Sequence, residues 1–174
     1  MGQKRTRLIA LAAAMAASAL AQTAPLKLLI LTGDSDEQYH DWRATTSAIQ
    51  EILARTGRFE IKVVEEPRGL TAAAFYGYDA IAINYNGPRL GAEAERAIEQ
   101  YVRNGGGLFA FHLCSYGEWF GMEFKGGKWQ SGPTPGWPEY PKMIGMNWAP
   151  EKIGHARRWN YQVDWKDPAH PIAA

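Results

Sequence analysis

Apolar residues fall into distinct periods along this chain, and each period predicts an element. LKLLILTG, residues 26–33, is a nearly continuous apolar run of strand length ending at Gly33-Asp34. That is the pattern of a strand buried on both faces of a parallel sheet. The polar loop DSDEQYHD follows. From Trp42 the apolar and small positions 42, 45, 46, 49, 52 and 53 recur at helical spacing, and Gly57 stops the helix. FEIKVV reads as a second strand, DAIAINYN as a third, AEAERAIEQYVRN as a second helix closed by glycines, and GLFAFHL as a fourth strand. Strands alternating with helices over such short connections predict a doubly wound α/β sheet.

Past Tyr116 the texture changes. Residues 116–165 hold six of the seven tryptophans together with many Gly and Pro, which predicts a long ordered loop region rather than regular helices. Within it RRWNYQVDW alternates strictly, with Trp159, Tyr161, Val163 and Trp165 on one face, as in a half-exposed strand. The tryptophans suit either packing of this region onto the sheet or a surface on which sugars stack, since an aromatic ring supplies an apolar body in both roles.

With 174 residues, 46% hydrophobic and 21% charged, the chain can bury one ordinary core and has no room for a second domain. The first 21 residues stand apart. Lys4, Arg5 and Arg7 precede an apolar stretch from Leu8 to Leu20 and the small-x-small pattern Ala19-Leu20-Ala21. This predicts a signal peptide cleaved after Ala21, a domain spanning residues 22–174, and a periplasmic or secreted destination. The apolar run is shorter than the ~20 residues of a bilayer span, and no Cys lies near the cleavage site, so no stable membrane anchor is expected. Cleavage removes three basic residues and no acids, taking the formal charge from +1 to −2; nothing basic remains to attract nucleic acid. An exported protein with a single cysteine, Cys114, has either a buried bystander or a protected reactive thiol.

Ligands of open α/β sheets gather outside the carboxyl ends of the strands. That rule selects the loops Gly33 to His40, Asn84 to Gly87, and His112 to Trp119. His40 and His112 lie in them, and His155 in the aromatic region could fold back over them. Among the nearby acids, Asp34, Asp36, Asp41 and Glu139, Asp41 suits the N-cap of the helix starting at Trp42. Glu139, in a Trp and Tyr setting, is the better general acid or base, because desolvation there would raise its pKa. Asn84 and Asn86 could donate to sugar hydroxyls or simply form the turn before Gly87.

The motifs LLILTG, HDW, YDAIAINYNG, NGGGLFAFH, WPEYPKMIGMNW, GH and DPAHPI, in this order, resemble the ThuA-like family, named for trehalose utilisation, over nearly all of the mature chain. The resemblance implies a class I glutamine amidotransferase-like fold: a flavodoxin-like three-layer sandwich with a mainly parallel sheet. Members of that kind continue past the HPI motif, so a chain ending at Ala174 is expected to lack the C-terminal part of the domain. In such folds a nucleophile sits on a strained strand-to-helix elbow flanked two residues away by small side chains. Around Cys114 those neighbours are His112 and Tyr116, both bulky; around His112 they are Ala110 and Cys114, both small. This register puts His112 at the elbow and makes Cys114 a small support.

A His there serves as general base or metal ligand. His40, His112 and His155 match the count of an open zinc site, although each could instead hydrogen-bond a loop carbonyl or carboxylate. The resemblance implies an enzyme of carbohydrate metabolism acting on trehalose or an oxidised, 3-keto disaccharide. Its catalytic candidates are His112 and Glu139, its sugar contacts Asp34, Trp42, Asn84, Asn86 and Trp148, and its cofactor a divalent metal such as Zn, with no nucleotide. Two alternatives stand beside it: a non-catalytic sugar-binding module that uses the tryptophans without metal, and a Cys114 amidase or hydrolase, which the elbow sterics disfavour. Nothing in these residues sets an oligomeric state.

Overall fold

Both faces of the first strand are covered, which is why its apolar run shows no alternation. In the computed structural model, which describes residues 24–35, 40–146, 157 and 159–170, β1 (Leu26–Thr32) lies between β2 (Phe59–Val64) and β3 (Ala80–Asn84), and β3 pairs in turn with β4 (Gly107–Ala110). All three pairings are parallel. Leu29, Leu31, Ile81 and Ile83 face one side, where α2 (Ala92–Arg103) lays Ala94 and Ile98 on them. Leu28, Ile30 and Ala82 face the other, against Ile49 and Leu53 of α1 (Trp42–Ala54). A helix on each face of a parallel sheet makes the three-layer, flavodoxin-like α/β fold that the alternation of elements predicts.

Local chemistry sets the ends of these elements. Asp41 caps α1, its carboxylate accepting the backbone N–H groups of Arg43 and Ala44, both at 3.0 Å. Glu93 and Glu95 in the first turn of α2 and Arg103 in its last complement the helix dipole. β4 ends at Ala110, earlier than its apolar run predicts, and the chain turns at once into a single 3-10 turn, His112–Ser115.

The aromatic region is more regular than its composition suggests. β5 (Met122–Lys125) and β6 (Lys128–Ser131) form an antiparallel hairpin turning through Gly126 and Gly127. Both glycines have positive φ, the requirement of a tight two-residue hairpin turn. The short helix α3 (Tyr140–Ile144) packs on β4. Trp119, Trp137 and Tyr140 are buried together, with ring centres 4.7 to 5.6 Å apart, and Trp137 Nε1 donates to Glu99 at 2.8 Å. These tryptophans are core. The alternation from Trp159 to Trp165, in contrast, forms no strand and is exposed on both faces. Period two makes a segment competent to be a strand; a hydrogen-bonded neighbour makes it one.

Residues 1–21, read above as a signal peptide, lie outside the described residues, and among the described residues no helix is long and apolar enough to cross a membrane.

Strand order reverses around β1, so the switch point of the sheet lies between the carboxyl ends of β1 and β3. There the loops approach closely. Gly33 has φ 125°, and a Cβ on it would lie 2.0 Å from the carbonyl oxygen of Glu65, which follows β2. A Cβ on Gly87 would lie 2.1 Å from the Asp34 carbonyl oxygen. The substitution Gly33→Ala therefore combines a strained φ with a backbone clash and is expected to cost about 3 kcal/mol in urea unfolding. A loss below about 1 kcal/mol, the typical size for a point substitution, would show that the loops are not so tightly joined.

Candidate functional site

Beneath the switch point lies a buried polar network. Thr32 at the end of β1 donates its hydroxyl to the Asn84 carbonyl at 3.0 Å and shares a 2.7 Å hydrogen bond with Thr46 Oγ1. Asn84 at the end of β3 donates its side-chain amide to Thr46 at 2.9 Å and to Thr45 at 3.2 Å. Thr32, Thr46 and Asn84 are all buried, where a polar side chain is tolerated only when bonded. Since the Thr32 hydrogen goes to the Asn84 carbonyl, Thr46 donates to Thr32. This set, in which only Asn84 Oδ1 accepts nothing, fixes the first turn of α1 over the ends of β1 and β3, and with it His40, two residues before the helix.

Two further joints hold the neighbouring loops. Ser35 donates its hydroxyl to the Gly33 carbonyl at 2.9 Å and accepts the Asn86 N–H at 3.2 Å. Cys114 donates its thiol to the Ile83 carbonyl at 2.9 Å and accepts the Tyr85 N–H at 3.2 Å. The cysteine thus fastens the turn after β4 to the end of β3, and that turn carries His112.

The outcome is a pair of imidazoles. His40 and His112 lie with ring centres 5.5 Å apart in a T-shaped arrangement. Tyr116 is 6.3 Å from His40, Trp129 of β6 is 5.6 Å from Tyr116, and Phe124 of β5 is 5.5 Å from Trp129. A row of rings therefore runs from the end of β4 to the hairpin. Two imidazoles sharing one ion, each nitrogen at ~2 Å from it and the pair at a tetrahedral angle, would have their centres about 5 Å apart. The pair fits that requirement. Among the described residues no group of three His, Cys, Asp or Glu side chains is placed to hold a metal ion, and His155 lies outside them.

The profile of the ThuA family, described as trehalose utilisation, matches residues 27–174. The chain belongs to this family. It is similar in structure to a ThuA-like protein from Parabacteroides merdae, with 27% identity over 64% of this chain and 49% of that one, TM-score 0.45. A ThuA-like protein from Bacteroides uniformis is 24% identical over 55% of this chain and 40% of that one, TM-score 0.45. The chain spans about half the length of the first and two fifths of the second. No curated protein matches it.

Within this ThuA domain the residues singled out from sequence separate into groups. His40 and His112 come together, and Asp34 is exposed in the loop after β1. The strands they follow are not neighbours, since β3 lies between β1 and β4. His40 meets His112 across the end of β3. Nor is His112 on a strained elbow, since among the described residues only glycines have positive φ.

Asn84 and Asn86 are corrected from sugar contacts to buried parts of the loop framework. Trp42 is likewise corrected: it is 7% exposed, and the Arg43 guanidinium covers its ring at 4.2 Å. Trp148 lies outside the described residues. Glu139 does not occupy a desolvating pocket. Its carboxylate accepts from Lys142 at 2.6 Å and lies 3.7 Å from Arg103 at the end of α2. The Lys142 hydrogen bond in particular holds its carboxyl below the usual range, which removes the reason for making it a general acid.

Tyr116 and Trp129 were not anticipated. The signal for Trp129 was present in Gly126-Gly127 between two short runs, a hairpin turn that places it on a strand.

Burial pushes the Cys114 thiol up to about 12. A nucleophile needs the thiolate, so the Cys114 hydrolase loses its chemistry. Folded protein is expected to resist alkylation by iodoacetamide at pH 8 and to react fully once unfolded; rapid native labelling would overturn the structural assignment. A thiol raised from 9.0 to about 12 contributes stability that is complete below pH 9 and lost as the pH climbs to about 12, so the unfolding midpoint should fall across that window.

Proposed function

We propose that this ThuA-family chain is an exported enzyme of carbohydrate metabolism that acts on a trehalose-like or oxidised, 3-keto disaccharide, with His40 and His112 at its reacting centre. The observation that carries this reading is the row of rings from His112 through His40 and Tyr116 to Trp129, lying outside the carboxyl ends of the strands. A neutral imidazole takes a proton from water or from a sugar hydroxyl near neutral pH. An aromatic face beside it offers the apolar platform on which the C–H face of a sugar ring rests.

His40, His112 and His155 would hold a divalent ion, and the ion would lower the pKa of bound water and polarise a carbonyl. The residues of this chain do the remaining work. His40 is held by the capped, network-pinned start of α1, and His112 by the turn that Cys114 fastens. Asp34, exposed in the loop after β1, would accept a sugar hydroxyl. Tyr116 and Trp129 orient the ring against the imidazole pair.

The second reading, a sugar-binding module without chemistry, rests on the same Tyr116 and Trp129 and gives the imidazoles no proton to move. The two separate by experiment. Protein expressed with its leader should be recovered outside the cytoplasm with Gln22 at its N-terminus and about one divalent metal per chain. His112→Ala should lose that metal and lower turnover of a 3-keto disaccharide at least ~100-fold, the scale of a lost acid or base. Unchanged disaccharide affinity, with no turnover in either protein and no metal, would leave only the binding module.

A further inference from the structure

The row of rings that begins at His112 leads to a second cavity. Trp129 and Phe124, its last two members, also line a space of about 430 Å³ beside the β5–β6 hairpin. That volume falls within the roughly 300–1,000 Å³ of small-molecule sites. Arg89, Glu118 and Glu123 supply its charged walls, and Phe124 is 46% exposed, so its ring is open to a ligand.

These walls are held from behind. Arg89 donates Nε to the buried Glu95 of α2 at 2.6 Å and Nη1 to the Pro135 carbonyl at 3.0 Å. Its charge is thereby neutralised and its position fixed. Neutral donors orient the two carboxylates: Glu118 Oε2 accepts the Arg89 backbone N–H at 3.3 Å, and Glu123 Oε1 accepts from Gln130 Nε2 at 3.2 Å. A carboxylate accepts at about four lone-pair sites, so each keeps most of its capacity for a ligand. Two fixed acceptors beside two aromatic rings are complementary to a sugar, whose hydroxyls make charge-assisted bonds to carboxylates while its C–H face rests on the rings.

We propose that this cavity receives the second hexose of the disaccharide, with Glu118 and Glu123 accepting its hydroxyl groups and Trp129 and Phe124 carrying its C–H face. The assignment rests on the reading of His40 and His112 as the centre that meets the first hexose. The spacing agrees with it. Ring steps of 6.3 and 5.6 Å lead from His40 through Tyr116 to Trp129, and two six-membered rings joined through one oxygen span roughly 10 Å on covalent bonds of about 1.5 Å. One ring at the imidazoles thus brings the other against Trp129. Since the two carboxylates meet hydroxyls of the second ring alone, they select a disaccharide over a monosaccharide.

Titration of the isotope-labelled full chain with trehalose, followed by NMR at the Trp129 indole, tests this, with Trp129→Phe identifying the resonance. Trehalose is expected to move that resonance and to bind at least ~10-fold more tightly than glucose. Glu118→Gln and Glu123→Gln should each weaken trehalose binding at least ~10-fold, the scale of a lost hydrogen bond to a charged group. Glu118 also holds the Arg89 N–H, so Glu123→Gln carries the test if the first variant unfolds. An indole that trehalose leaves unmoved, or trehalose affinity that both glutamine variants retain, would overturn the subsite even with turnover of a 3-keto disaccharide intact. Carboxylate-dependent trehalose binding in a protein without turnover would support the subsite and remove the catalytic reading instead. Glucosamine bound at least ~10-fold more tightly than glucose, with the preference lost at high salt, would overturn the proposal in favour of an ammonium site.

Discussion

The hydrogen bonds among Thr32, Thr46 and Asn84 decide where everything at the top of the sheet lies. Each of these polar side chains is buried, and each would be costly there alone. Together they join the ends of two neighbouring parallel strands to the first turn of the helix that crosses above them. Asn84 gives both its carbonyl and its side-chain amide to this joint. A helix pinned at its start has its preceding residues pinned too, which is how an otherwise ordinary loop delivers His40 to a fixed point.

The second joint, at Cys114, works in the same way from the other side. A thiol in that position is small enough to be enclosed and polar enough to bridge a carbonyl and an N–H that β3 leaves at its end. Burial makes it inert as a nucleophile. The imidazole pair is therefore the product of two unreactive anchors, and the glycines at 33 and 87 let the loop after β1 approach the backbone after β2 and the loop after β3 without steric conflict.

Most of the main sheet could be read in the sequence, because burial on two faces writes continuous apolar runs and α1 and α2 carry clear periodicity and caps. The site was legible only in part. Loop position and residue type brought forward His40 and His112, but Asn84, Asn86 and Trp42 have the same composition whether they face a ligand or a neighbouring backbone. Only packing separates those cases. Glu139 misled for a related reason: an acid flanked by Trp137 and Tyr140 in sequence is not enclosed by them, since both turn into the core while the carboxylate turns towards Lys142 and Arg103. The alternation at residues 159–165 shows the limit from the other direction, since a strand pattern has no pairing partner written into it.

That His40 and His112 form one functional unit is the claim on which the rest turns, and a double-mutant cycle measures it. Affinity for a 3-keto disaccharide would be determined for wild type, His40→Ala, His112→Ala and the double variant. If the two rings share one ligand or one ion, the double variant loses little more than either single one, and the coupling energy is about 1 kcal/mol or more. Losses that add to within about 0.5 kcal/mol would mean that the rings act independently, and the paired site would be wrong.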